Sequence, residues 1–259
     1  MSGKISTIYF SPTHTTQKIV QAIGDVLAQK TGKERLDIDL TLPDERGREF
    51  AFGSDDILLF GFPVYGGRIP RVLEETLSKL KCDKTPAIIV AAYGNRDYDD
   101  ALLEAKDILQ AKGFTVVAAG AFIGEHSFSR SLAAGRPDEN DIETAALFAE
   151  QIADKLEKGN YQELSVKGSR PYKEHMAPMP FTPKTKDTCT SCMICARSCP
   201  MGIIDTDSAK VVNPGCIQCN ACVKSCPVEA KYFDAEPILK AAAMMESNFM
   251  SRKEAEYFL

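Results

Sequence analysis

Eight of the nine cysteines in the chain fall into two runs with one spacing, C-x2-C-x2-C-x3-C-P. The first run is Cys189, Cys192, Cys195, Cys199 and Pro200; the second is Cys216, Cys219, Cys222, Cys226 and Pro227. Thiolates are soft ligands for zinc or for iron–sulfur clusters. Three of them at x2 steps sit on a tight loop and turn their sulfurs into one small volume. Zinc sites pair two C-x2-C units, or one such unit with histidines, and leave no third cysteine at the next x2 step. The spacing therefore predicts a cubane 4Fe-4S cluster at each run. A cubane takes four thiolates, so each triplet needs a fourth from outside it. Disulfides fit neither the repeat nor the expected compartment. The start, "MSGKISTIYFSPTHTT", holds too short an apolar run for a secretory leader, so a reducing cytoplasmic setting is expected. The ninth cysteine, Cys82, stands alone and reads as a structural or free thiol.

The duplicated unit, with the tails "CPMGII" and "CPVEAK", closely resembles the pseudo-twofold bacterial ferredoxins over about residues 187–235. In proteins of that kind the fourth cysteine of each run ligates the other cluster. The resemblance thus implies one ligand set of Cys189, Cys192, Cys195 and Cys226, and a second of Cys216, Cys219, Cys222 and Cys199. The prolines after the fourth cysteines fix φ and help turn the chain away.

Residues 1–158 must supply a different scaffold. "ISTIYF", "DILLFG", "PAIIVAAYG" and "FTVVAAGAF" are continuous apolar runs, as strands covered on both faces should be. "ERLDIDL" is a weaker candidate for the second strand. Helical patterns lie between them at 15–30, near 70–80 and at 98–112, and a last one runs from about 138 to 158, with a start at Pro137–Asp138 and a stop at Gly159. This alternation predicts an α/β fold with a doubly wound parallel sheet. Residues 159–186, with four prolines and two glycines, read as a linker or strap; 187–236 as a small α+β cluster domain; and 237–259 as a helical extension.

After strand one comes "SPTHTT" (11–16), a hydroxyl-rich turn before a helix N-terminus. Free N–H groups and the helix dipole make such a place receptive to phosphate. It also serves as an ordinary N-cap with spare hydroxyls. The turn resembles the FMN-phosphate loop of flavodoxins. Ser11, Thr13 and Thr16 match its hydroxyl positions, Thr15 lies between them, and His14 stands where glycine is usual. "GFPVYGG" follows strand three and "YGNRDYDDAL" follows strand four, as the two flavin-ring loops do in that family. The resemblance implies a five-stranded sheet of order 2-1-3-4-5 with FMN at its switch point. It also implies contacts from Pro63, Val64, Tyr65, Gly66 and Gly67 and from Tyr93, Gly94, Asn95 and Tyr98. Tyr65 and Tyr98 are the ring-contact candidates, and both also fit as loop tyrosines packed on the surface. Arg68 and Arg96 could set a cation at the ring edge or stand solvated. His126 could pass protons or be a plain loop histidine. Neither G-x-G-x-x-G nor G-x-x-x-x-G-K-[ST] occurs.

The full layout resembles the fused flavodoxin–ferredoxin proteins of anaerobes. That resemblance implies electron transfer between FMN and two 4Fe-4S clusters, a converter between one- and two-electron carriers. The alternative is an FMN-dependent reductase of an organic substrate fed through the clusters; a redox sensor is a third reading, with no output segment in view. A net charge of −5 and a pI near 5.4 argue against nucleic acid. No apolar run approaches the roughly 20 residues of a membrane span. Residues 187–259 hold seven basic and nine acidic side chains, and anionic clusters would add to the negative charge. A redox protein partner with a basic docking patch is therefore expected. The strap is long enough for the clusters to dock on their own flavin domain or on a second copy in a homodimer.

Overall fold

The computed structural model describes residues 3–259. Its main sheet holds β1 (Ile5–Tyr9), β2 (Arg35–Asp39), β3 (Ile57–Pro63), β4 (Pro86–Tyr93), β5 (Thr115–Ile123) and β6 (Glu256–Phe258). Their spatial order is β2-β1-β3-β4-β5-β6. The first five run parallel, in the flavodoxin-like order 2-1-3-4-5, and β6 adds antiparallel to β5.

The apolar runs form strands because both faces of the sheet are covered. Along β3, Ile57 and Leu59 enter one core, while Leu58, Phe60 and Phe62 enter the other. The first core is closed by α1 (Thr15–Thr31) and by the long helix α3 (Glu139–Lys158), through Ile19, Ile23, Phe148 and Ile152. The second is closed by α2 (Ala101–Ala111), by Leu73 and Leu77, and by a short parallel pair of strands, Phe50–Phe52 and Leu80–Cys82. β2, at the open edge, carries Arg35, Asp37 and Asp39, charges that discourage pairing with another chain. α3 starts as expected. Asp138 and Asp141 form a reciprocal capping box, and Gly159 closes the helix in the left-handed region.

Two expectations need correction. The sheet has six strands. The C-terminal extension is helical only over α4 (Glu236–Phe249); the chain then returns to the flavodoxin-like sheet as β6. The tail is held on the way. Asn95 Nδ2 donates to the Ser251 carbonyl at 2.9 Å, Arg136 Nη1 to the Lys253 carbonyl at 2.6 Å, and Arg252 pairs with Asp138 at 2.6 Å.

Residues 159–186 are a strap pinned along the surface. Asp100 accepts from the backbone N–H groups of Ser169 and Lys173 at 2.8 and 2.6 Å, and Arg170 pairs with Asp107. Further on, Gln218 Nε2 donates to the Phe181 carbonyl at 3.0 Å, tying the strap's end to the second cysteine run.

The cluster domain is pseudo-symmetric with an offset of 27 residues, Cys189 to Cys216. The short helices Ile194–Arg197 and Ala221–Lys224 match. Ser191 and Met193 share a positive φ with their counterparts Gln218 and Asn220, so each C-x2-C-x2-C loop wraps in the same way. The pairing of Thr185 with Lys231 matches that of Val212 with Ile204. Ser198 and Ser225, which are counterparts, meet hydroxyl to hydroxyl at 3.2 Å, on the axis between the halves.

Candidate functional site

Cys199 stands with Cys216, Cys219 and Cys222 around one cavity, walled by Ile204, Ile217 and Phe233. Backbone N–H groups point at sulfurs: Ser191 at Cys189 and Gln218 at Cys216, both at 3.4 Å, and Ala230 at Cys226 at 3.1 Å. Burial pushes the Cys219 thiol up to about 12, with Cys216 and Cys199 adding to it. An electrophilic centre is what such crowded sulfurs need before they ionise. All nine cysteines are free of disulfides. Among the described residues no three His, Cys, Asp or Glu side chains draw close enough to hold a single metal ion. The donor set fits iron–sulfur clusters. Cys82 takes no part, its thiol donating to the Lys112 carbonyl.

The turn at 11–16 sits at the carboxyl end of β1, against the N-terminus of α1. Ser11 is buried; its N–H donates to Thr41 Oγ1 at 2.9 Å, and its hydroxyl accepts from the Gln17 N–H at 3.0 Å. Thr41 supports the turn from 30 residues away, and nothing in its local sequence marks it. Among the described residues no acceptor takes the N–H groups of Thr13, Thr15 or Thr16, and the buried Thr16 hydroxyl has no partner. Such an orphaned set matches an anion. His14 departs from the family's glycine, yet its φ is 63° and its side chain is exposed. The backbone therefore takes the left-handed turn a glycine would supply, with the imidazole directed outward.

The loop after β3 is a tight turn. Tyr65 and Arg68 exchange backbone hydrogen bonds, and Gly66 and Gly67 between them have φ of 62° and 88°. Two successive positive φ values favour Gly-Gly strongly. Pro63, Val64 and Tyr65 are half-buried. Val64 and Tyr65 pack on the same core as Ile217, which walls the cysteine cavity. Burial first, then Cys219 and Cys216, hold the Tyr65 phenol well above its ordinary range. The first ring loop and the second cysteine run are thus neighbours.

The loop after β4 departs from its expected role. Tyr98 is buried, its ring lies under the Lys167 ammonium at 4.8 Å and against Tyr93 at 5.6 Å, and its hydroxyl donates to Glu256. It has no open face for a flavin. Asn95 is buried and holds the C-terminal tail. Tyr93 is buried, and Gly94 lies close against His126. Arg68 turns inward, bidentate to Glu104, and Arg96 pairs with Asp99, so neither stands free at a ring edge. His126 Nδ1 accepts from the Phe128 N–H, and burial, then Lys224 and Arg96, lower its pKa to about 4. It is a neutral imidazole near pH 7.

The cluster domain docks on its own flavodoxin-like domain. Lys224 donates to Glu125 and to the Ser129 carbonyl, Arg46 to the Pro200 carbonyl, and Arg130 to the Val223 carbonyl at 3.2 Å. These long-range contacts carry no signal in the sequence. Cys192, by contrast, is exposed. Lys224 and Val223 of the second run and Pro200 of the first thus meet the flavodoxin-like domain.

The family model of the 4Fe-4S dicluster domain matches residues 183–227. No curated protein matches the chain in sequence. Among solved structures, a Streptococcus pneumonia TIGR4 flavodoxin is 17% identical, with a TM-score of 0.42 over 59% of this chain and 99% of its own. The two-electron reduced Megasphaera elsdenii flavodoxin is 17% identical, with a TM-score of 0.40 over 57% of this chain and 98% of its own. An azoreductase from Bacillus anthracis is 14% identical, with a TM-score of 0.41 over 59% of this chain and 99% of its own. Among the described residues no helix is long and apolar enough to cross a membrane. The chain joins a flavodoxin-like α/β domain of strand order 2-1-3-4-5 to a region that matches the 4Fe-4S dicluster domain.

Proposed function

We propose that the protein is an electron carrier that couples FMN in the flavodoxin-like domain to two 4Fe-4S clusters, converting between two-electron and one-electron partners. When bound, a flavin exchanges one or two electrons and a cubane exchanges one; the chain supplies position and electrostatics. The observation that carries this reading is the closeness of the first ring loop to the second cysteine run: Val64, Tyr65 and Ile217 pack on one core, and Cys219 and Cys216 bear on the buried Tyr65 phenol. Ser11, Thr13, Thr15 and Thr16 hold the phosphate in this reading. Cys189, Cys192, Cys195 and Cys226 hold the outer cluster, through which a redox protein docks. The reductase alternative needs an open pocket over the ring. The loop that would border it, at Asn95 and Tyr98, is covered by the tail.

The test is analysis of anaerobically purified protein. Roughly eight iron, eight sulfide and one FMN per chain are expected. Iron near four, or zinc in its place, would refute the cluster assignment. With no dinucleotide fingerprint, NADPH alone under argon should leave the flavin absorbance unchanged, whereas a reduced ferredoxin should bleach it. Fast bleaching by NADPH would replace the carrier with a nucleotide reductase.

The phosphate loop makes a second expectation. Replacing Thr13 and Thr16 together with alanine removes two donors to a charged group, each worth about 1.5–3 kcal/mol. Titration calorimetry of the apo-flavodoxin site in the full chain should show FMN binding weakened at least tenfold. Unchanged affinity would move the phosphate elsewhere.

A further inference from the structure

Lys231 is almost fully buried, at 2% exposure. Its ammonium donates to the Ala209 carbonyl, and among the described residues it makes no ion pair. A buried charge without a counter-charge is costly, so such groups are normally paired. The pseudo-symmetry sharpens the anomaly. At the 27-residue offset the counterpart of Lys231 is Ile204, a core residue at 3% exposure that walls the cavity of Cys199, Cys216, Cys219 and Cys222. Both positions make the same backbone pairing, Ile204 with Val212 and Lys231 with Thr185. One half of the domain thus carries a methyl-bearing side chain where the other carries a cation.

The surroundings of Lys231 supply the missing partner. The preceding residue, Ala230, donates its N–H to Cys226 Sγ at 3.1 Å. Ala209, whose carbonyl takes the ammonium, belongs to the small core that contains Cys195, Cys199 and Cys222. Burial pushes the Cys195 thiol up and the Lys231 ammonium draws it back; the same ammonium also draws back the buried Cys222 thiol of the inner set. Cys195 and Cys226 belong to the outer ligand set. Among the described residues no carboxylate pairs with Lys231, so in the two-cluster reading the thiolates of a bound cluster supply its counter-charge.

We propose that Lys231 is a positioning residue for electrons: its buried ammonium raises the reduction potential of the outer cluster. This rests on the two-cluster reading above. In reduction one electron leaves the donor and is taken up at the outer site; no covalent bond breaks and no proton has to move. The added negative charge is attracted by a fixed buried cation in a medium of low dielectric, and charge near a cluster is a recognised lever on its potential. The inner site has Ile204 in the matching place; its nearest buried cation from the flavodoxin-like domain is Arg46, beside Cys199.

The test is a potentiometric titration of the full holo-protein, with dithionite and mediators, followed by EPR. Lys231→Ile copies the counterpart residue, and removing a buried charge in favour of an apolar side chain is commonly neutral or stabilising. The variant should lower the equilibrium constant for reducing one cluster about tenfold, about 59 mV for one electron, and leave the other much less changed. Lys231→Arg, which keeps the charge, should stay near the wild-type value. If the isoleucine variant loses iron, Lys231→Gln serves in its place. Two unshifted potentials in a variant with full iron would overturn the proposal. Wild-type protein with far fewer than eight iron atoms would instead overturn the two-cluster reading beneath it.

Discussion

Replacing Cys199 with alanine is expected to cut the iron of the purified protein from about eight atoms to about four per chain. It should also slow reduction of the flavin by a one-electron protein donor at least a hundredfold. Cys199 lies in the first run by sequence but shares a cavity with Cys216, Cys219 and Cys222. Its loss removes one of four thiolates from the inner site, the one beside Tyr65. In the proposed crossed ligation the outer triplet keeps Cys226, so the surviving EPR signal should be that of the outer cluster. The electron path is then open at the entry and cut at the junction. Cys226→Ala is the control. It should remove a similar amount of iron, leave the inner signal, and spare exchange between the flavin and the remaining site. If Cys199→Ala instead removes the signal that depends on Lys231, ligation follows each run and the crossed sets are wrong.

Much of this was legible where the determinants are local. The eight cysteines declare themselves by spacing alone. The strands at 57–63, 86–93 and 115–123 read as buried because nearly every residue in them is apolar, and both faces are in fact covered. The capping box of α3 was visible at Asp138 only as a start signal. Misreadings arose where a partner lies far along the chain. Tyr98 and Asn95 follow a strand in a loop that resembles a ring loop, but their partners are Glu256 and Ser251, more than 150 residues on. Arg68 looked free until Glu104 supplied a buried carboxylate. β6 is three residues long, too short for any periodicity, and exists only because the edge of β5 offers unpaired backbone groups. Lys231 is inconspicuous alone. It stands out once the halves are superimposed and its place proves to belong to an isoleucine.

Asp141→Ala is expected to cost about 3–5 kcal/mol of stability, the range for stranding one member of a buried ion pair. The side chains of Arg136 and Asp141 are 5% and 1% exposed, and Arg136 Nε donates to Asp141 Oδ2 at 2.7 Å. Glu254, on the tail, is 3.7 Å from the same guanidinium, but its side chain is 64% exposed and therefore a weak substitute. Asp141 has a second task, since its carboxylate accepts from the Asp138 N–H at 2.8 Å and completes the cap of α3. Loss of that reciprocal cap adds about 1 kcal/mol. The damage should spread to function by one route. Arg136 also holds the Lys253 carbonyl, so an unpaired guanidinium that turns toward solvent releases the tail from the loop at Asn95. Urea unfolding at matched iron and flavin content should show the loss directly, and the melting temperature should fall on the order of 10 °C. Limited proteolysis should then cut between α4 and β6 faster than in the parent. Replacing the pair together, Arg136→Met with Asp141→Leu, should recover most of the stability, because no charge is left stranded. A loss below about 1 kcal/mol in the single variant would show that the pair is solvated and that the tail is held by Asn95, Arg252 and β6 alone.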